Sequence, residues 1–234
     1  MSKNIFRRVE EKYLLSKEEL DNLFFKIGDY IEPDDYFEST ISNIYFDNIN
    51  NDLIVNSLDK PIYKEKIRVR SYNNAPNLDS IVFLEKKDKY DGIVGKRRVK
   101  MTLRDFYNYI DNNKYADSQI MKEIDYFIKY YDLKPSIYIA YDRKSYRGKD
   151  NENLRITFDA NLRSRNEDLR LELGDAGKKY FEDDYYIMEI KTLSSMPLWL
   201  VRSLSELNIF PTGFSKYGKI YEDNYRKEEL IYAR

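Results

Sequence analysis

The sequence contains neither cysteine nor histidine among its 234 residues. Without cysteine, disulfide bonds, thiolate zinc sites and cysteine nucleophiles are excluded. Without histidine, the chain lacks the commonest general base, the commonest metal ligand and any phosphohistidine intermediate. An enzyme of this composition must work with carboxylates, lysine, arginine, tyrosine, serine and hard metal ions. Oxygen ligands alone suit Mg²⁺ or Mn²⁺.

The chain also lacks an excess of either charge and has no long apolar run. Lys+Arg number 40 and Asp+Glu 41, which gives a net charge of −1. Because a nucleic-acid binder usually has a clear basic excess, no nucleic acid is expected as a partner. No run approaches the roughly 20 apolar residues of a membrane span, and the N-terminal stretch MSKNIFRRVEEKYLL lacks the apolar region of a signal peptide. We therefore expect a cytoplasmic location and no membrane segment in this chain.

The pattern of apolar residues predicts a single α+β domain over residues 1–234, because no linker, repeat or low-complexity tract divides the chain. Helices are predicted for residues 16–30, opened by a capping box of Ser16 and Glu19, for 102–133 with a break near DNNKYADS, and in SSMPLWLVRSLSEL. Strands are predicted for residues 7–15, 41–47, 62–72, 80–89, 93–101, 136–146, 154–160, 168–173 and 185–192.

One predicted strand, KEKIRVRSY, has cations on alternate residues. Successive side chains of a strand point to opposite faces, so one face carries Lys64, Lys66, Arg68 and Arg70. Neighbouring cations on that face lie about 7 Å apart and repel each other by about 2–3 kcal/mol at an effective dielectric of roughly 20. Water or an anion must relieve that repulsion. A solvated strand face and an anion site are both open interpretations of this strand alone.

The same kind of face recurs in other predicted strands. The shared faces carry Arg8, Glu10 and Lys12; Glu85, Lys87 and Lys89; Lys96, Arg98 and Lys100; Tyr141 and Arg143; Arg155, Thr157 and Asp159; Glu189 and Lys191. This recurrence predicts an antiparallel β-barrel tunnel of about eight strands, with a charged lumen and helices packed outside. So many facing cations would repel strongly, so the lumen is expected to bind a ligand with closely spaced negative charges.

Four carboxylates lie on these cationic faces, those of Glu10, Glu85, Asp159 and Glu189. Each could merely neutralise neighbouring cations. As a group they could instead hold Mg²⁺ or Mn²⁺ against phosphate oxygens, while arginine and lysine bind the remaining charge.

Together these residues resemble the triphosphate tunnel metalloenzymes, and more closely the VTC domain, a polyphosphate polymerase domain. The resemblance covers essentially the whole chain through RRVEEKY, KIRVRSY, FLEKK, GKRRVK, YDRKSYRG, LRITFD, MEIK and SKYG, in that order. The related CYTH branch usually begins with Glu-x-Glu-x-Lys, whereas this chain has Arg8-x-Glu10-x-Lys12. That departure favours the polymerase-like branch and removes one potential metal ligand.

The resemblance also implies roles for individual residues. It assigns phosphate contacts to Lys12, Arg68, Arg70, Lys87, Lys100, Arg143 and Arg155, and further ones to Ser215 and Lys216. Either Lys12 or Lys216 could act near the acceptor oxygen. Glu189 becomes the expected metal ligand, with Glu10 and Glu85 as additional candidates. The charged strands add four candidate substrate-binding residues, Lys96, Arg98, Tyr141 and Lys191.

The activity implied by the resemblance is transfer of the ATP γ-phosphoryl group to a growing polyphosphate chain, dependent on Mn²⁺ or Mg²⁺. The expected partners are ATP and polyphosphate or another triphosphate, and a membrane-protein partner is not identified by the sequence. Two alternatives remain open: hydrolysis of tripolyphosphate or a nucleoside triphosphate, and a polyphosphate-binding module without activity. The carboxylates on the cationic faces weigh against the second, because a simple polyanion binder gains nothing from them.

Overall fold

The computed structural model describes residues 9–91, 93–181, 185–193 and 195–232, with side chains as far as residue 224. The part of the first predicted strand that includes Arg8 lies outside the described residues.

The described residues form strands and helices in the following order along the chain. The strands are β1 (Val9–Ser16), β2 (Ile31–Asp47), β3 (Tyr63–Ser71), β4 (Ile81–Tyr90), β5 (Ile93–Thr102), β6 (Lys134–Gly148), β7 (Asn151–Arg165), β8 (Lys178–Lys179) and β9 (Tyr185–Thr192). The helices are α1 (Lys17–Ile27), α2 (Asp52–Leu58), α3 (Leu103–Asn112), α4 (Gln119–Tyr130), α5 (Leu198–Glu206) and α6 (Lys216–Tyr232).

The strands belong to one sheet of nine strands, in the order β1-β9-β7-β6-β2-β3-β4-β5, with β8 beside β7. The strand pairs with a described register are antiparallel. An α+β fold built on an antiparallel sheet is thereby confirmed, with nine strands among the described residues where about eight were expected. The strand order runs from β1 to β5, and the described pairings do not join these two strands into the closed barrel that was predicted.

The chain groups into two compact units. The first unit comprises Met1–Ser39, Tyr141–Leu162 and Phe181–Ser215, and the second comprises Thr40–Ala140, Arg163–Tyr180 and Lys216–Arg234. Strands β2, β6 and β7 each contribute residues to both units.

Each unit has its own hydrophobic core on the apolar face of its strands. In the first unit, Tyr13, Ile156 and Met188 pack with residues of α1 and α5 such as Leu23 and Leu200. In the second unit, Ile67, Val69 and Leu84 pack with residues of α3 and α4 such as Phe106 and Ile124. Since strand side chains alternate between faces, this packing directs the charged residues of the same strands away from the cores.

The predicted helix starts are confirmed where the capping side chains make their bonds. The Ser16 hydroxyl accepts from the Glu19 amide at 3.2 Å, and the Ser16 amide donates to the Glu19 carboxylate at 2.7 Å, which completes the capping box of α1. Thr102 likewise accepts from the Asp105 amide at 3.1 Å and begins α3. The helices end earlier than predicted, and the break between α3 and α4 falls where DNNKYADS predicted it.

The predicted strand at residues 168–173 is wrong, because these residues include a 3₁₀ turn at Leu171–Leu173. The side chain of Arg165 explains the difference, since it donates to the carbonyl oxygens of Asp168, Arg170, Gly174 and Ala176 at 3.0, 2.7, 2.9 and 2.8 Å. These carbonyls curl around one guanidinium and are therefore not available to a strand ladder.

Three short or polar elements were not predicted, namely α2, α6 and β8. Helix α6 is the largest of them. Its described apolar contacts depend on Tyr217 and Ile220, which are buried and three residues apart, while Gly218 between them is a weak helix former. From the sequence alone, such a short apolar stripe does not distinguish a helix from a polar loop.

No helix within the described ranges has both the length and the apolar character needed to cross a membrane.

Candidate anion-binding faces

The charged side of β3, β4 and β5 in the second unit is called here the second charged face. Its cross-strand rows, read from the antiparallel register, are Lys66–Lys87–Lys96, Arg68–Glu85–Arg98 and Arg70–Phe83–Lys100. Strand β2 extends the last two rows with Tyr45 opposite Arg68 and Asn43 opposite Arg70. The predicted residues of these three strands are therefore brought onto adjacent rows of one sheet face. The three rows contain seven cations and one carboxylate.

Glu85 is that carboxylate, and it is almost completely buried. Arg68 donates to its Oε2 through Nε at 2.9 Å and Nη2 at 2.8 Å, while Lys96 Nζ lies 2.5 Å from Oε1. Burial alone would raise the pKa of Glu85, but Arg68, Arg70 and Lys96 lower it to about 2. Both oxygens are thus engaged by cations. Glu85 holds Arg68 and Lys96 in place, and its role as a metal ligand stays a prediction.

Arg70 is buried and is held by Asn43, whose Oδ1 accepts from Nε at 2.8 Å. The Asn43 amide in turn donates to the carbonyl oxygen of Ile139 at 3.0 Å, which fixes the orientation of the acceptor. A guanidinium positioned in this way loses little side-chain entropy when it binds an anion.

Tyr45 was not predicted to belong to the site. Its hydroxyl accepts from Arg68 Nη1 at 3.0 Å, and the Tyr217 ring packs on it with centroids 5.0 Å apart. Burial would raise the pKa of this phenol, but the charges of Arg68, Arg70 and Lys66 lower it to about 8. The cations of this face therefore favour the ionised form of this phenol, which loses its proton more readily than an ordinary tyrosine.

We expect this phenol to report on anion binding. Ultraviolet difference absorbance near 295 nm should show one tyrosine that loses its proton near pH 8, ahead of ordinary tyrosines near pH 10. If tripolyphosphate binds to this face, its charge should offset that of Lys66, Arg68 and Arg70, raise the pKa of Tyr45 and move the early step to higher pH. Tyr45→Phe should remove the step, whereas Tyr36→Phe, which changes an exposed tyrosine of the first unit, should leave it unchanged. An early step that survives in Tyr45→Phe would contradict the assignment.

The first charged face lies on β1, β9 and β7 in the first unit. Its rows are Glu10–Lys191–Arg155 and Lys12–Glu189–Thr157. Lys191 Nζ lies 3.2 Å from Glu189 Oε2 and 4.0 Å from Glu10 Oε2, and Lys12 Nζ lies 3.7 Å from Glu10 Oε1. The predicted residues of these strands are again neighbours on one face. Two carboxylates share one lysine there, so they lie close to each other.

A buried ion pair organises the same face. Arg143 donates through Nε and Nη2 to the two carboxylate oxygens of Asp159 at 2.6 and 2.7 Å, and its Nη2 lies 3.8 Å from Glu189 Oε2. The guanidinium also lies 5.3 Å from the centroid of the Tyr141 ring. Burial would lower the pKa of Arg143, but the charge of Asp159 raises it, so Arg143 stays protonated. Its planar fork is therefore pre-oriented beside Glu189.

Thr157 has a buried hydroxyl for which the described residues provide no hydrogen-bond partner. It stands opposite Glu189 in the register of β7 and β9. A buried hydroxyl without a partner costs free energy, so its position beside Glu189 indicates spare capacity for a ligand oxygen or a water.

Three predicted residues have not yet been described, namely Arg155, Ser215 and Lys216. Arg155 forms an ion pair with Asp34 at 3.0 Å and is about half exposed. Ser215 and Lys216 are half-buried where the last connection meets α6, and the Thr212 amide of that connection donates to the Lys12 carbonyl oxygen at 2.7 Å. The next residue, Tyr217, donates to the buried Asp47 at 3.1 Å, which fixes the start of α6.

The oxygen ligands of these faces could provide only part of the coordination of a metal ion. No group of three or more acidic side chains able to hold a metal ion occurs in the part of the chain that the structure describes. Mg²⁺ and Mn²⁺ need only one or two carboxylates when phosphate and water oxygens complete the coordination. Glu189 and Glu10, with the unsatisfied Thr157 hydroxyl nearby, fit that kind of site.

Sequence reasoning did not include Asn43 and Tyr45 among the site residues, and it considered Asp159 only as one of four carboxylates that could hold a metal ion. Asn43 and Tyr45 alternate with the buried Ile44 and Phe46 on β2, which is the same signal that identified the other charged strands. That alternation could have placed both residues on the charged side, but their uncharged side chains gave no reason to select them.

Comparisons with known proteins indicate the family and the fold of this chain. The family profile of the VTC domain matches residues 7–223. Subunit 4 of the vacuolar transporter chaperone complex of Schizosaccharomyces pombe is 25% identical in an alignment of 149 positions, which covers 53% of this chain and 20% of that protein. A crystal structure of a Bacillus halodurans protein proposed to be an adenylate cyclase has a TM-score of 0.54 and 14% identity, over 89% of this chain and 95% of the other. At that identity, the structural similarity shows a shared fold alone.

Proposed function

Because the chain belongs to the VTC domain family, we propose that it is a polyphosphate polymerase acting in the cytoplasm, where ATP is available. In the proposed reaction, a terminal oxygen of polyphosphate forms a bond to the γ-phosphorus of ATP. The bond between that phosphorus and the β–γ bridging oxygen breaks, and ADP leaves with the bonding electrons. The products are ADP and a polyphosphate chain longer by one phosphate.

One observation carries the proposal, the excess of cations on the second charged face. Seven lysines and arginines share three adjacent rows with a single carboxylate, and that carboxylate is already bound by Arg68 and Lys96. At a spacing of about 7 Å and an effective dielectric of roughly 20, each neighbouring pair of cations repels by about 2–3 kcal/mol. A polyphosphate chain, which carries at least one negative charge per phosphate, would relieve this repulsion. A solvated face would not need the buried, pre-oriented guanidinium of Arg70.

Phosphoryl transfer requires alignment and charge stabilisation more than covalent help from the protein. Arg143, fixed by Asp159, can donate its remaining N–H groups to phosphate oxygens, and Lys12 and Lys191 add mobile positive charge beside it. Glu189 and Glu10 would hold Mn²⁺ or Mg²⁺, which supplies charge neutralisation to the phosphate oxygens when bound. The absence of histidine and cysteine is therefore no obstacle to this chemistry.

The test is an assay of the purified protein with ATP and Mn²⁺ that quantifies ADP, orthophosphate and long-chain polyphosphate. We expect ADP and long chains in equal phosphate equivalents. Arg68→Met should reduce turnover by about 100-fold or more, because it removes a charged phosphate contact and frees Glu85. The matched control Arg104→Met changes an exposed arginine of the same unit and should retain full turnover. ADP with orthophosphate alone would instead identify a hydrolase, and tight polyphosphate binding without turnover would identify a binding module.

A further inference from the structure

We propose that Tyr72 and Phe83 form a subsite for the nucleobase of ATP at one end of the second charged face. This inference rests on the proposed function, because it assigns the part of the nucleotide that the phosphate-binding cations cannot recognise.

The two rings lie beside each other at one end of the second charged face. Phe83 lies between Arg70 and Lys100 in the last row of the face. It belongs to β4, the strand that provides Glu85 and Lys87 to the neighbouring rows. Tyr72 directly follows β3, and the two ring centroids are 5.8 Å apart with a nearly perpendicular arrangement. The last row of the charged face thus contains an aromatic ring between two cations, with a second ring beside it.

Core packing does not account for this pair. Neither ring belongs to the hydrophobic core of the second unit or to the partly buried residues packed against it, within the described residues. Phe83 is half-buried and Tyr72 is 46% exposed. Exposed aromatic area among cations therefore needs a different explanation.

Two guanidinium groups of the charged face contact these rings. The Cζ atom of Arg98 lies 4.9 Å from the centroid of the Phe83 ring, and that of Arg70 lies 5.8 Å from the centroid of the Tyr72 ring. Although burial would raise the pKa of Tyr72, the charge of Arg70 and its hydrogen bond with the phenol lower it. The ring of Tyr72 is thereby held at its hydroxyl end while part of its surface stays open to solvent.

The chemistry of the rings favours a base over a further phosphate. The face of an aromatic ring carries partial negative charge, so phosphate gains nothing from it, whereas a nucleobase stacks well on aromatic rings and on guanidinium planes. A base stacked at Tyr72 would have its triphosphate beside Arg70, Arg98 and Lys100, which are neighbours of the two rings. The ligand assigned to this end of the face is therefore the base of a nucleoside triphosphate.

The experiment compares ATP with tripolyphosphate, which has the phosphates and lacks the base. Isothermal titration calorimetry on the full chain should show that Tyr72→Leu weakens ATP binding by about 10-fold, the effect of losing one stacked base, and changes tripolyphosphate binding by less than about twofold. Tyr72→Phe keeps the ring and should bind ATP within about threefold of the unsubstituted protein. Tyr90→Leu, which removes an exposed tyrosine at the other end of β4, should change neither affinity.

The outcomes separate this inference from the proposed function. If Tyr72→Leu leaves ATP affinity unchanged, or weakens both ligands equally, the base subsite is overturned while phosphate binding stands. If the unsubstituted protein binds neither ligand, the proposed function fails first. Should Tyr72→Leu lower the thermal midpoint strongly, Phe83→Leu provides the same comparison from the second ring, with the same expected loss for ATP alone.

Discussion

Replacing Glu189 with glutamine is expected to reduce polyphosphate synthesis by about 100-fold or more, while the affinity for tripolyphosphate stays within about threefold. Glutamine has the same shape but no negative charge, so it cannot hold Mn²⁺ or Mg²⁺ strongly. Lys191 and Arg143, which lie 3.2 and 3.8 Å from the Glu189 carboxylate, remain in place to bind phosphate. This variant should therefore lose turnover while it keeps its affinity for tripolyphosphate.

Steady-state turnover with ATP and a calorimetric titration with tripolyphosphate measure the two quantities on the same preparation. Glu38→Gln is the matched control, because Glu38 is an exposed glutamate of the first unit paired only with the exposed Lys144 among the described contacts. That control should keep both turnover and binding. An equal loss of turnover and tripolyphosphate affinity in Glu189→Gln would show that Glu189 only positions cations, and would contradict its role toward a metal.

Much of this architecture could be predicted because it depends on local alternation. The strand Tyr63–Ser71 keeps Ile67 and Val69 on one side and Arg68 and Arg70 on the other, and such alternation is visible without any knowledge of neighbouring strands. The start of α1 was visible for the same reason, since its capping box lies within four consecutive residues.

The partners of each charged side chain could not be predicted, because they depend on strand order and register. Strand β9 pairs with both β1 and β7, which are distant in sequence, and this places Lys191 beside Glu10 and Arg155. The sequence pattern placed Glu85 and Glu189 on equivalent faces. Only the neighbouring strands show that Glu85 is enclosed by Arg68 and Lys96, whereas Glu189 lies near a second carboxylate and an unsatisfied hydroxyl.

Breaking the pair between Arg143 and Asp159 is expected to cause the largest loss of stability. Asp159→Asn should lower the free energy of unfolding by about 3–5 kcal/mol, because it leaves the buried Arg143 charge without its carboxylate. The Asp159 side chain is completely buried and that of Arg143 is 13% exposed, so water cannot replace the lost partner. Urea unfolding followed by the fluorescence of Trp199, the single tryptophan and a residue of the first unit, measures this loss.

An exposed pair with comparable atoms provides the control. Arg104 Nη2 lies 3.0 Å from Asp79 Oδ1, with both side chains more than half exposed, so Asp79→Asn should cost less than about 1 kcal/mol. A similarly small loss of unfolding free energy in Asp159→Asn would mean that Arg143 is solvated and that Asp159 does not fix its position before a ligand binds.

A second substitution separates the uncompensated charge from lost packing. The double variant Asp159→Asn with Arg143→Met should recover much of the stability that Asp159→Asn loses, because removing both charges of a buried pair is often close to neutral. The double variant should nevertheless bind tripolyphosphate more weakly than Asp159→Asn, which retains the guanidinium. Stability and binding would then respond in opposite directions to the loss of Arg143. That divergence is expected only if Asp159 holds this arginine in place as a phosphate contact, since a purely structural ion pair would leave tripolyphosphate binding unchanged in both variants.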